Sequence, residues 1–171
     1  MRAITASADI IERAKLETAG PGECVSFFVA ETVGDDLRLV DVRVMGPEDF
    51  DRRSDVHVSL AEHVRPQLIT WAWAEGLSLV EAHTHIDGDP ACLSPTDISG
   101  LTEWVPHVRW RLRAAPYAAL VIAETTVDGL AWTGPSHVPQ AVAALAVDGQ
   151  PPRLMTGLSL PYMKARIDTD G

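Results

Sequence analysis

The sequence predicts an α+β fold: a single domain over residues 1–171, built on a mixed β-sheet with two or three helices packed against it. Three observations carry this. The chain has 171 residues, which suits one domain and leaves no room for a second. Apolar residues make up 46% of it against a formal charge of −10, the balance of a soluble globular chain. Stretches of strand and helix periodicity follow one another without the regular βαβ repeat of a doubly wound parallel fold.

Taken in order, Ile10, Ile11, Ala14 and Leu16 fall close to helical spacing in the stretch Ala8 to Thr18, and Gly20-Pro21-Gly22 stops any helix there. From Glu23 the run Glu-Cys-Val-Ser-Phe-Phe-Val-Ala is β-branched and aromatic. Leu37 to Met45 alternates apolar and polar residues, and the turn-like Gly34-Asp35-Asp36 joins the two runs into a β-hairpin. A charged loop, Asp49 to Asp55, precedes a short strand from Val56 to Ser59 and a helix around Leu60 to Glu75. Gly76 closes that helix, and Pro66 falls in its first turn or kinks it. Leu77 to Ile86 reads as a strand running into a Gly/Asp/Pro loop, after which Ser94-Pro95-Thr96-Asp97 opens a helix reaching towards Arg113. Tyr117 to Thr126 and Gly129 to Thr133 read as a second hairpin turning through Val127-Asp128-Gly129, and Leu154 to Leu160 as a last strand.

Charge and composition exclude several classes of function. With 14 Lys and Arg against 24 Asp and Glu, the surface repels phosphate backbones, so neither nucleic acid nor an anionic membrane is an expected partner. The span Gly129 to Val147 is uncharged, yet Pro135, Ser136, His137, Pro139 and Gln140 interrupt it, and a membrane helix needs about 20 mainly apolar residues. Cys24 and Cys92 cannot make a multi-bridge secreted scaffold and are expected to be reduced. The stretch Met1 to Gly20 carries Asp9, Glu12 and Glu17 in place of an apolar signal core, so the expected compartment is cytoplasmic.

The chemistry is concentrated in the middle of the chain. His83-Thr84-His85 lies at a strand end, and because strand side chains alternate, both imidazoles emerge on one face, about 7 Å apart at their Cα atoms. Asp97, in the first turn of the next helix, can return beside them to complete a donor set of two nitrogens and one oxygen, with a fourth position for water. Ser94-Pro95-Thr96-Asp97 is also a good helix start by itself, with Ser94 as N-cap, Pro95 at N1 and Asp97 at N3. Capping alone does not require the compound spacing His-x-His, eight residues, Ser-x-x-Asp.

That spacing, with Glu23 upstream at the start of a strand following the first helix, resembles the JAMM (MPN-plus, JAB) metalloprotease family of zinc-dependent deubiquitinating isopeptidases. The order of elements fits from roughly residue 8 to 133. Two departures stand out: the loop is one residue longer than the family spacing, and Ile86 replaces the proline that commonly follows the second histidine. The resemblance implies a mixed sheet flanked by helices, with Zn2+ held by His83, His85 and Asp97, Glu23 as general base and Ser94 as donor to the oxyanion. Glu31, on the same strand, and Glu81, on the face of the two histidines, compete with Glu23 for the role of base. The implied substrate is a ubiquitin-like protein, cut after its terminal glycine in processing or deconjugation. The implied partners are E1-like and E2-like proteins from the same gene cluster, as in bacterial antiviral pathways. Relatives that trim sulfur-carrier proteins, and relatives of the MPN fold that serve as non-catalytic interaction modules, are the alternatives.

The remaining polar residues read as structural. His57, His63, His107 and His137 lack ligand-spaced neighbours, and Arg109-Trp110-Arg111-Leu112-Arg113 reads as a solvated element end. A metal-dependent phosphoesterase of the PHP type would place its His-x-His at the opening of a barrel of roughly 200 residues or more, whereas here it lies halfway along the chain. A zinc deaminase shares a Pro-Cys near its site, but Pro90-Ala91-Cys92 lacks the second cysteine of that signature, and the chain has no His-x-Glu.

Overall fold

The computed structural model describes residues 1–14, 16, 22–54, 57–86, 88–135 and 138–170. Its architecture is α+β, a large mixed sheet with helices on both faces. The expected hairpin forms from β2 (Val25–Val33) and β3 (Asp36–Val44), antiparallel with Val33 opposite Asp36. β6 (Ser78–Thr84) pairs antiparallel with β2, Val25 facing His83, and parallel with β7 (Tyr117–Ile122). β8 (Val127–Trp132) returns antiparallel to β7. Four more strands, β1 (Ala3–Ala6), β9 (Gln140–Ala141), β10 (Ala144–Val147) and β11 (Arg153–Leu154), complete a nine-stranded sheet in the order β11-β10-β1-β3-β2-β6-β7-β8-β9. β6 therefore stands mid-sheet, and its period-two alternation feeds two different cores.

On one face, α2 (Val64–Glu75), α3 (Pro95–Arg111) and α4 (Ser159–Asp170) bury Leu68, Ala72, Leu101, Val105, Val108 and Met163 against Leu79, Tyr117, Ala119 and Leu130. On the other, α1 (Ala8–Ala14) places Ile10 and Ala14 over Phe28, Val80 and Ala82. The buried Ser26 hydroxyl donates to Ala14 O at 2.8 Å, satisfying a carbonyl at the end of α1. α2 and α3 are linked by reciprocal cation–π stacks: Arg65 of α2 over Trp104, and Arg113 just beyond α3 over Trp73.

Several expectations are corrected. Four α-helices form among the described residues, not two or three. The described part of the first helix ends at Ala14; Lys15, Glu17, Thr18 and the Gly20-Pro21 stop lie outside the described residues. The charged loop after Asp49 is a strand, β4 (Phe50–Ser54), paired antiparallel with β5 (His57–Leu60), while Asp55 and Val56 lie outside the described residues. Pro66 falls in the first turn of α2, where its missing N–H leaves no bond unmade.

The second hairpin does not turn at Val127-Asp128-Gly129. Ile122 pairs with Val127, and the turn lies between them, closed by Ala123 N–H to Thr126 O at 3.0 Å. Gly129 is inside β8 because the neighbouring strand crowds it: a Cβ there would stand 2.5 Å from Leu120 Cδ2 and 3.0 Å from Ala119 O. The last expected strand is limited to β11, and from Ser159 the chain is helical. No helix among the described residues is long and apolar enough to cross a membrane.

Candidate metal centre

The end of β6 is fixed from both sides. Thr84 exchanges bonds with Cys24, giving its N–H to Cys24 O at 3.0 Å and accepting Cys24 N–H on Oγ1 at 2.9 Å, while His85 N–H donates to Ile122 O at 2.9 Å. Thr84 is fully buried on the α1 side, so period two turns Glu81, His83 and His85 to the α3 side. Continuing the β2–β6 register past Val25–His83 brings Glu23 opposite His85.

The eight-residue loop to α3 is tied down along its length. Asp89 accepts from Thr125 N–H and from the hydroxyls of Thr125 and Thr126, and Ala91 N–H donates to Thr126 Oγ1 at 2.7 Å. At its end Ser94 caps α3 as the sequence predicts: its Oγ accepts Asp97 N–H at 3.2 Å, and Asp97 Oδ2 accepts Ser94 N–H at 2.7 Å.

These supports converge three donor atoms. His83 Nε2 and His85 Nε2 are 3.1 Å apart, and each lies 3.4 Å from Asp97 Oδ2. A tetrahedral cation with bonds of about 2.0–2.1 Å to N and O ligands needs its donors roughly 3.3–3.4 Å apart, so the triangle matches one face of such a tetrahedron. The group is therefore able to bind a metal ion. The three side chains expose only 13%, 16% and 25% of their surface, which shields the centre from bulk water without closing it.

Charge balance supports the same reading. Burial pushes the Asp97 carboxyl up, but hydrogen bonds from His83 and His85, the His83 charge and Ser94 together hold it well below the usual carboxylate range. Burial pulls His83 down, and the Asp97 hydrogen bond with the charges of Asp97, Glu81 and Glu23 more than reverses this. Two histidines held against Asp97 in this way are suited to a cation between them.

All five expected site residues assemble here. Glu23 Oε1 stands 4.0 Å from His85 Nε2. Glu31 is excluded as a local base: it lies past the opposite end of the β2–β6 pairing, about 26 Å away along the strand, where it takes a hydrogen bond from Arg38. Glu81 is occupied differently. It accepts Tyr117 O–H at 2.5 Å, and Tyr117 accepts Trp104 Nε1–H at 2.9 Å. Burial raises Glu81, and burial together with the Glu81 charge raises Tyr117.

Two residues that the sequence reading assigned to a turn and a strand prove to support the site. Asp128 is fully buried and accepts bonds from Gly157 and Ser159, and Ser159 in turn accepts Leu93 N–H, next to Ser94. An acidic residue within the run Val-Asp-Gly-Leu-Ala-Trp was the available signal. Arg109 is corrected too: it is buried and donates to Gly134 O, whereas Arg111 and Arg113 lie exposed over Trp110 and Trp73. Cys24 and Cys92 are both free thiols. His63 faces Asp49, His107 stacks between Trp104 and Trp110, and His137 lies outside the described residues.

No family model matches the chain, and no curated protein matches it. Among solved structures, the solution structure of protein DSY2949 from Desulfitobacterium hafniense is similar, with a TM-score of 0.54 and 17% identity over 86% of this chain and 94% of that one. At that identity the likeness concerns the fold alone.

Proposed function

We propose that this chain is a zinc-dependent isopeptidase or peptidase of the JAMM kind, cleaving after the C-terminal glycine of a ubiquitin-like protein. One observation carries the reading: a two-histidine, one-aspartate triangle with tetrahedral edge lengths has a second carboxylate, Glu23, 4.0 Å from one of its corners. Zinc favours this mixed nitrogen and oxygen set, and an open fourth position is the mark of a catalytic rather than a structural site. When bound, zinc supplies a Lewis acid that polarises a carbonyl and brings the pKa of a water towards about 7.

The protein groups do the rest. Glu23 takes a proton from the attacking water and delivers it to the leaving amine, which positioned acid–base groups accelerate by about 10²–10⁴. Ser94 spends a lone pair on Asp97 N–H, so its own O–H is directed elsewhere and donates to the carbonyl oxygen as negative charge develops. The substrate reading rests on the resemblance and on one steric point: glycines let an extended tail approach a recessed, shielded centre where side chains would collide.

The test offers the zinc-loaded chain a ubiquitin-like protein from its gene neighbourhood fused to a reporter, the same fusion with its tail glycine replaced by alanine, and an unrelated unfolded protein. Cleavage of the first alone, lost on chelation and restored by zinc, is the expected result. Cleavage of the unfolded protein at equal rate marks a general peptidase. Full activity of stripped protein in excess chelator overturns the metalloenzyme reading.

A further inference from the structure

Asp128 lies second in the otherwise apolar strand β8 with no exposed surface, where a carboxylate is costly unless it is hydrogen-bonded. Its Oδ1 accepts Gly157 N–H at 2.9 Å, and its Oδ2 accepts Ser159 N–H at 2.8 Å and Ser159 Oγ–H at 2.6 Å. The two amide bonds start α4. The hydroxyl bond does something else. A carboxylate only accepts, so it claims the single proton of Ser159, and the lone pairs of Oγ are left to face another donor. Cys92 Sγ, at 3.9 Å, is a much poorer taker of that proton. The donor that Oγ receives is Leu93 N–H at 2.9 Å, across 66 residues of sequence.

Leu93 directly precedes Ser94, whose N–H is held by Asp97 Oδ2, the oxygen that faces both histidines. A second tie from the same segment, Thr156 Oγ1–H to Ala91 O at 2.8 Å, holds the loop two residues earlier. Starting α4 requires neither tie. We infer that Asp128 and Ser159 are positioning residues for the metal centre: Asp128 fixes the polarity of the Ser159 hydroxyl, which holds the Cys92–Leu93 peptide next to Ser94 and so places Asp97 against His83 and His85. This deepens the proposed function and rests on its metal centre.

Cobalt(II), whose visible absorption reports ligand geometry, is the probe, titrated into the metal-stripped full chain. Ser159→Ala removes the tie to Leu93 while leaving both amide bonds to Asp128, so α4 keeps its start even where Asp128→Asn fails to fold. The expected result is cobalt affinity lowered by about tenfold, the range for outer partners of metal ligands, with a changed absorption band. Ile10→Val, in the core across the sheet, serves as a control for general destabilisation and leaves affinity and band unchanged. Wild-type affinity and spectrum in Ser159→Ala overturn the inference but leave the metal centre standing. A wild-type chain that binds no cobalt overturns both.

Discussion

Ser94 and Asp97 hold each other by two hydrogen bonds, and the Asp97 oxygen that accepts from Ser94 is the one lying 3.4 Å from each histidine nitrogen. Helix cap and metal donor are thus one atom. The two readings of Ser-Pro-Thr-Asp are not rivals, because the cap is what aims the donor.

Ser94→Ala therefore has two separable effects. Loss of the N-cap lowers stability by about 1 kcal/mol, read from a denaturant midpoint. Loss of the hydroxyl donor lowers kcat more than it raises KM, since the developing oxyanion exists only in the transition state. A large rise in KM at unchanged kcat would contradict the assigned role.

His85→Ala removes one corner of the triangle. Elemental analysis is expected to find about one zinc per wild-type chain and a marked loss in the variant. Folding is expected to survive, because the His85 backbone bond to Ile122 O does not depend on the ring. A variant that keeps full zinc content would assign the metal to other residues.

Glu23→Gln keeps the size of a side chain just ahead of β2 but cannot take a proton. Turnover is expected to fall 10²-fold or more with zinc content unchanged. The same substitution at Glu31, at the far end of β2 and bonded to Arg38, is expected to leave turnover alone. Unchanged turnover in Glu23→Gln would pass the role to Glu81, which Tyr117 already engages.

The triad was legible because its signals are local: period two aligns His83 with His85, and the capping spacing joins Ser94 to Asp97. What sequence reading missed depends on distant partners. Asp-Gly ordinarily marks a turn, and Asp128-Gly129 is strand only because Ser159 satisfies the acid and Leu120 crowds the glycine. The segment around Ser159 reads locally as strand, and becomes a helix whose first amides Asp128 holds. β1 and β10 are short and alanine-rich, and are strands by virtue of distant partners: they pair with each other, Ala3 beside Ala144, and β1 pairs with β3 through Ile4 and Leu37.

Metal-free protein is expected to lose stability as pH rises. A group whose folded pKa exceeds its unfolded value binds its proton more tightly when folded, so its contribution is present below the unfolded value and is lost as pH rises through the folded one. His83 behaves this way from about 6.5 upward, and buried Glu81 from 4.5 upward. Asp97, held low, contributes in the opposite sense: its contribution is fully present above 3.8 and is lost only as pH falls below that, so it does not vary over this range. Zinc requires neutral histidines, so its affinity rises over the same range. The gap in Tm between zinc-loaded and stripped protein should therefore widen from pH 6 to pH 8, measured by thermal scans at fixed zinc. A gap that narrows would show that these histidines are not the ligands.

Gly88 offers a way to separate metal binding from folding. It lies in the loop after β6, and a Cβ built there would stand 3.0 Å from His85 Cβ and 3.3 Å from Nδ1. Its backbone is not in the left-handed region, so alanine is conformationally allowed, and Gly→Ala at such a site stabilises by about 0.4–1 kcal/mol through the unfolded chain. The contact leaves that gain intact only if the His85 ring yields, and a yielding ring moves Nε2 away from its 3.1 Å spacing to His83. Gly88→Ala is therefore expected to leave the stripped protein as stable as wild type or more so, while weakening zinc several-fold, since displaced ligands lose affinity steeply. Chemical denaturation of stripped protein and a competitive zinc titration on the same preparation measure the two effects. Equal loss in both would mean that the loop is strained as a whole, and unchanged zinc affinity would mean that the loop takes the methyl group without moving the His85 ring.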